Sequence, residues 1–235
     1  SDVPTLLVEQ AGMRLWVKTD DTFEVPKVDA LFSFLSPSSR ESSRSAALSQ
    51  LYASVVNEQL NEYLYPAYLA GMNVQFYSQR RGFTLSLGGY NDGLIDLAKK
   101  VLPTLTTMTI SPDRFESIKV ELIRALQLNR ESTPYRRLPS TMRQALYANS
   151  WSELELMDAL ADVTIADLQL HVDTLWPSIY TEGMLHGNVD NNTVTTMTAL
   201  LEALPNCGCD LTEQRLHVGV VELPLGRQQQ TQKLN

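Results

Sequence analysis

The sequence predicts an α+β fold: an antiparallel β-sheet with helices packed on one face. Three observations predict it. Runs of alternating apolar and polar residues mark half-buried strands, whose side chains repeat every two residues. Two such runs adjoin across a short glycine-containing connection, as an antiparallel hairpin does. The remaining apolar residues recur three and four apart in long segments grouped together, a pattern that places helices on one side of a sheet rather than between parallel strands.

The elements follow in chain order. Met13-Arg-Leu-Trp-Val-Lys18 alternates and reads as a strand. Val28, Ala30, Phe32 and Phe34 repeat the pattern, with Asp29 and Ser33 on the other face. Thr19-Asp-Asp-Thr22 and Pro26 supply turn chemistry between them. After Ser36-Pro-Ser-Ser39 the period changes. Leu48, Leu51, Tyr52, Val55, Leu60 and Tyr63 define one long amphipathic helix over roughly residues 40–64, and Pro66 predicts a joint to a short second helix ending before Gly71.

Asn73 to Gln79 and Phe83 to Tyr90 alternate again around Arg80-Arg-Gly82, a hairpin. Asp92 to Leu105 returns to helical spacing. Ser111-Pro-Asp113 reads as an N-cap, a first-turn proline and a dipole-favoured acid, opening a helix that buries Phe115, Ile118, Leu122, Ile123 and Leu126. Tyr135 to Tyr147 is a further helix. Ser152 with Glu155 fits a capping box, and Thr164 with Asp167 fits a similar start. Ile179 to His186 reads as a strand. Asp190 caps a helix carrying Val194, Met197, Leu201 and Leu204, which Pro205-Asn206 stops; a linker and a strand from Leu216 to Leu223 follow.

Of the 235 residues, 43% are hydrophobic, enough for a substantial core. The net charge of −8 argues against nucleic acid, because phosphate binding needs a basic face. The pairs Arg80-Arg81 and Arg136-Arg137 are too short to reverse that. No stretch of about 18 apolar residues occurs, so no membrane helix is expected. Ser1-Asp-Val-Pro-Thr5 and the polar end at Asn235 read as the edges of a piece of a longer protein.

The chain lacks a Gly-x-Ser-x-Gly elbow, a P-loop, and the His-Glu-x-x-His and His-x-x-Glu-His zinc motifs. Its three histidines, His171, His186 and His217, fall on separate elements. None pairs with another at the spacing that would point two imidazoles at one metal. His171 reads as a surface or edge residue. His186 reads as a strand end, with Gly187-Asn188 turning the chain. Cys207-Gly-Cys209 is half a zinc site at most, with His217 as the nearest further ligand; the simpler reading is two thiols in a loop. Glu153 and Glu155 suit a helix start, Asp20-Asp21 a turn, and Asp158 and Asp162 one helix face. Tyr63, Tyr65 and Tyr68 read as packing or an interface. No catalytic, metal-binding or cofactor-binding residue is therefore assigned.

An ordered set of short segments carries a resemblance. Leu15-Trp-Val-Lys-Thr-Asp-Asp-Thr-Phe23, Val25-Pro-Lys-Val28, Phe34-Leu-Ser-Pro37, Leu60-Asn-Glu-Tyr63 with Tyr68-Leu-Ala-Gly71, Gly89-Tyr-Asn-Asp92 with Lys99-Lys100, Asp162-Val-Thr164 and Leu185-His-Gly-Asn188 resemble, in order and spacing, the third domain of the insulysin/pitrilysin metallopeptidases. That family builds two halves from four related α+β domains and closes them around short peptides. Zinc is held by His-x-x-Glu-His in the first domain.

The resemblance implies that residues 1–205 are the middle domain and 206–235 lead into the fourth. It implies a catalytically silent domain with no cofactor of its own, zinc in the N-terminal half of the parent, and other domains of the same chain plus peptide substrates as partners. A homo-oligomer is compatible with it. It implies a periplasmic parent if bacterial and a cytoplasmic one otherwise. A non-catalytic scaffold protein of the same fold is the alternative.

Overall fold

The computed structural model describes residues 3–20, 25–210 and 219–222. The strands are β1 (Thr5–Gln10), β2 (Met13–Thr19), β3 (Lys27–Leu35), β4 (Asn73–Gln79), β5 (Gly82–Tyr90) and β6 (Tyr180–Gly187). The helices are α1 (Ser43–Leu69), α2 (Asn91–Thr106), α3 (Pro112–Arg130), α4 (Pro134–Leu146), α5 (Glu153–Leu160), α6 (Ile165–Leu175) and α7 (Asn191–Glu202). Short 3-10 turns at Pro37–Arg40 and Trp176–Ser178 lead into α1 and β6.

One mixed sheet runs β1-β2-β6-β3-β5-β4. Its pairs are antiparallel except β2 with β6, which run parallel from Met13 beside Thr181 to Thr19 beside Gly187. The late strand β6 is thus inserted between β2 and β3. Alternation decides which face is buried. Met13, Leu15 and Val17 on β2, Val28, Ala30, Phe32 and Phe34 on β3, and Phe83, Leu85 and Leu87 on β5 all lie inward. Each fully buried side chain of this size contributes roughly 1.5–3 kcal/mol. Leu31 and Tyr77 point to the opposite, open face, as does the Arg14–Glu182 ion pair that joins β2 to β6.

Gly183 sits where the buried rows of β2 and β3 meet across β6. A Cβ there would lie 2.6 Å from Leu15 Cδ1 and 3.1 Å from Phe32 Cδ1, so the position admits no side chain without repacking.

On the buried face α1 packs along β4 and against α3, α5 and α6, while α2 covers β5 and meets α7. Ser42 caps α1 through a reciprocal box with Ser45. The helix runs unbroken through Pro66, so the expected joint is absent. The reason is position. Proline removes one i→i−4 bond, and at Pro66 that bond belongs to the last turn, which Gly71, five residues on, closes in a left-handed conformation (φ 77°). The boxes at Ser152/Glu155 and Thr164/Asp167 form as expected, and Asp190 Oδ1 accepts from Thr193 N–H at 2.7 Å.

Strand β1 was not legible in the alternation and forms an edge beside β2. Of the strand read at Leu216–Leu223, only residues 219–222 are described. There Val220 makes an isolated bridge with Tyr147. Part of the turn read at Thr19–Thr22 also lies outside the described residues.

Candidate functional site

The histidines come first, because each could signal chemistry. His186 ends β6 between Lys18 of β2 and Asp29 of β3. It borders a hollow of about 140 Å³ with Asp20, Lys27 and Asp29. The turn behind it is held by backbone. Asp20 N–H donates to Gly187 O at 2.9 Å, and Asn188 N–H donates to Lys27 O at 2.9 Å. Gly187 has φ 118°, and a Cβ on it would meet Lys27 O at 2.3 Å, so glycine is required. His186 is therefore part of a strand-to-helix turn.

His171 was expected at the surface or at an edge. It lies half-buried on α6, with Nε2 3.0 Å from Ser49 Oγ. Ser49 is fully buried and its hydroxyl donates to Ser39 O at 2.9 Å, so it accepts from the imidazole Nε2–H. Burial pushes the His171 pKa down to about 4. The sequence did carry the signal: position 171 lies three residues after Leu168 and four before Leu175, on the apolar face of α6. A serine–histidine pair invites a nucleophilic reading, but Ser49 is buried, and among the described residues no carboxylate is hydrogen-bonded to the ring. His217 lies outside the described residues.

Cys207 and Cys209 are not free thiols; their sulfurs are bonded to each other. The bridged loop crosses the ends of two strands. Cys207 N–H donates to Ile179 O at 2.9 Å, and Gly12 N–H donates to Cys209 O at 2.7 Å. A sequence rule that looks for disulfide frameworks misses a bridge spanning one residue, because so small a ring removes little chain entropy. Bonded sulfurs offer no thiolate to a metal.

The carboxylates are likewise spent on structure. Glu155 and Asp167 are held below the usual range by the hydroxyls and N–H groups of Ser152 and Thr164. Asp158 and Asp162 do not share a helix face. Helix α5 stops at Leu160, and Asp162 instead accepts from Arg44 at 2.8 Å. Tyr65 and Tyr68 are exposed, with the Tyr68 hydroxyl donating to Val74 O at 3.3 Å. Among the described residues no group of three or more His, Cys, Asp and Glu stands together as a metal would need. The donor set does not fit zinc.

Two of the larger clefts bear on chemistry. One, of about 620 Å³, opens beside the Glu58–Arg114 ion pair and Ser111, whose hydroxyl is spent on capping α3. No base stands beside a free nucleophile there. The other, of about 520 Å³, is flanked by Arg40, Arg80 and Arg143. No helix of the described residues is long and apolar enough to cross a membrane.

Comparison with known proteins bears on this arrangement. Residues 1–159 match the family model described as the middle or third domain of peptidase M16. Human insulin-degrading enzyme is 32% identical over 199 residues, which are 85% of this chain and 20% of that enzyme. The A-factor-processing enzyme of Saccharomyces cerevisiae is 28% identical over 206 residues, 87% of this chain and 20% of that protein. The chain thus spans about a fifth of the length of these curated relatives. Among solved structures, pitrilysin superposes with a TM-score of 0.79 at 20% identity, over 90% of this chain and 22% of its own. A peptidase M16 inactive domain from Pseudomonas fluorescens gives 0.64 at 12% identity, over 89% of this chain and 52% of its own. With its mixed sheet, one-sided helical layer and family match over most of its length, the chain belongs to the M16 peptidase family, as a middle domain related to those of insulin-degrading enzyme and pitrilysin.

Proposed function

We propose that this chain is the catalytically silent middle domain of a zinc endopeptidase, and that it forms part of the wall of a closed chamber in which peptides are cut. The observation that carries the reading is the middle-domain match, and among the described residues no group of metal donors is assembled beside it. Zinc and its activated water would then belong to the N-terminal half of the parent. The names of the relatives, an insulin-degrading and an A-factor-processing enzyme, support peptides as the substrate class. The open face of the sheet, bearing Leu31, Tyr77 and the Arg14–Glu182 pair, is a broad surface that no helix described here covers, as a wall needs. Enclosure would exclude large folded proteins, and opening would gate entry and release.

Cleavage of a quenched fluorescent peptide tests the reading. The chain alone should be silent, and should raise turnover when combined with the N-terminal half of its parent. Chelator-sensitive cleavage by the chain alone would overturn the silent assignment. Silence of the two halves after they are shown to associate would instead favour a scaffold protein of the same fold.

A further inference from the structure

We infer that the Cys207–Cys209 bridge is a redox-active site, which exchanges two electrons with small monothiols of the glutathione class while the domain stays folded. The bridge spans one residue, Gly208, and joins no distant parts of the chain. A ring this small removes little entropy from the unfolded chain, so it contributes little to holding the fold. The backbone around it is held by other means. Cys207 N–H donates to Ile179 O, Gly12 N–H donates to Cys209 O, and Gly208 N–H donates to Asn206 Oδ1 at 2.9 Å. None of these three bonds involves sulfur, so none requires the bridge.

The same bonds favour closing and reopening. They keep the two cysteines at a Cα separation of 5.2 Å, within the range a disulfide takes without backbone movement. A dithiol held in this way closes within one molecule, at a high effective concentration. The loop is also within reach of a small thiol. Both cysteines are half-buried, and Asn206, Gly208 and Asp210 beside them are exposed. Accessible bridges are the ones that exchange with small thiols, whereas structural bridges of secreted proteins resist them.

The two sulfurs are not equivalent. Cys209 N–H donates to Cys207 Sγ at 3.4 Å, and a donor aimed at a sulfur favours negative charge on it. Cys207 is therefore the better leaving group, and an incoming thiolate attacks Cys209 Sγ. That attack joins the incoming sulfur to Cys209 and breaks the Cys207–Cys209 bond. The electron pair stays on Cys207, which takes up a proton. A second thiolate then attacks the outer sulfur of the mixed disulfide, releases the small disulfide and leaves Cys209 to take up a proton in turn. Two monothiols are oxidised to one small disulfide, and the bridge is reduced to two thiols; the reverse sequence closes it. This inference does not rest on the peptidase reading.

Titration of the purified chain in glutathione buffers of graded composition, read by alkylation and intact mass, tests it. The chain carries only these two cysteines, so the mass gained counts the open bridge directly. The open fraction should follow the square of the reduced glutathione concentration over that of oxidised glutathione. A change of about tenfold in that quotient should change the open-to-closed ratio about tenfold. The fraction should return along the same curve when oxidised glutathione is restored, with the far-UV circular dichroism unchanged throughout. A bridge that stays closed in every buffer and opens only after urea has unfolded the chain would overturn the inference. So would opening that unfolds the chain, or sulfurs that stay unbridged in every buffer. The single variants test the roles of the two sulfurs. Cys209→Ser keeps the thiol faced by the backbone N–H of position 209, and should alkylate at least about threefold faster at pH 7 than Cys207→Ser. Equal rates, or the reverse order, would overturn Cys207 as the leaving sulfur.

Discussion

Tyr52 makes the sharpest test of how the helical layer is fastened to itself. Its ring is fully buried in edge contact with Phe76 and Phe83, at 5.7 and 5.3 Å between centroids. Its hydroxyl donates to Leu105 O and accepts from Trp176 Nε1 at 3.1 Å. Leu105 lies in the last turn of α2, where carbonyls lack an intrahelical partner, so the phenol replaces the missing N–H. Burial pushes the phenol pKa well above its ordinary value, and the proton stays available to Leu105 across the neutral range. Tyr52→Phe keeps the ring contacts and removes one oxygen. It strands a buried carbonyl and a buried indole N–H, each worth about 1–3 kcal/mol when left unpaired. The expected loss is therefore about 2–6 kcal/mol, or roughly 4–24 °C in Tm for a domain of this size. Urea unfolding, with an unchanged m-value, measures it. In the double variant with Trp176→Phe, the two losses should fall short of additive by at least about 0.5 kcal/mol, because the indole N–H has already gone. A Tyr52→Phe loss under about 0.5 kcal/mol, or strict additivity, would refute the shared hydroxyl as the fastening.

Four further outcomes are expected. Gly187→Ala should destabilise by at least about 1–3 kcal/mol in the same urea assay, since it adds left-handed strain to a clash with the Lys27 carbonyl; Gly183→Ala should lose about 1–3 kcal/mol through Leu15 and Phe32 alone. His171 should make stability depend on pH. Its folded pKa of about 4 lies below the unfolded value near 6.5, so the unfolded chain binds the extra proton and stability falls as pH drops from 6.5 towards 4. The fall attributable to this group is at most about 3 kcal/mol, and subtracting the profile of His171→Gln from that of the unaltered chain isolates it. An unchanged slope in the variant would remove His171 from the account. Elemental analysis of the purified chain should find no stoichiometric zinc, and one tightly held zinc per chain would contradict the site as described.

Much of the fold was legible because burial writes a period into the sequence. Met13 to Lys18, Val28 to Phe34 and Phe83 to Tyr90 alternate because one face of each strand meets the helices. The caps at Ser111, Ser152, Thr164 and Asp190 are legible because their hydrogen bonds are local. Strand β1 escaped because Leu6-Leu7-Val8 does not alternate and the strand lies on an edge with little to bury. The insertion of β6 beside β2 escaped because pairing between distant segments leaves no mark within either. The expectation of no catalytic residue rested on absent motifs, and the structure shows which partners the individual side chains have: Ser49 has Ser39 and His171, Asp162 has Arg44, and the cysteines have each other. The arginine cleft escaped for the same reason as the strand order. Arg40, Arg80 and Arg143 are scattered along the chain, and only the fold, which sets Arg80 over Tyr147 at the end of α4, brings them to one cleft.

The place of β6 has a consequence for synthesis. Residues 13–35 leave the ribosome well before residues 180–187, yet β2 and β3 flank a gap that is filled only when Thr181 reaches Met13 and Phe34. Until then the nascent chain carries two strands with open edges, and closing so long a loop is slow because its entropy is lost before any ladder forms. Such an intermediate invites wrong strand partners. The match to the family model ends at residue 159, before β6 begins. A chain truncated there would keep most of its helices and still be unable to join the two parts of its sheet.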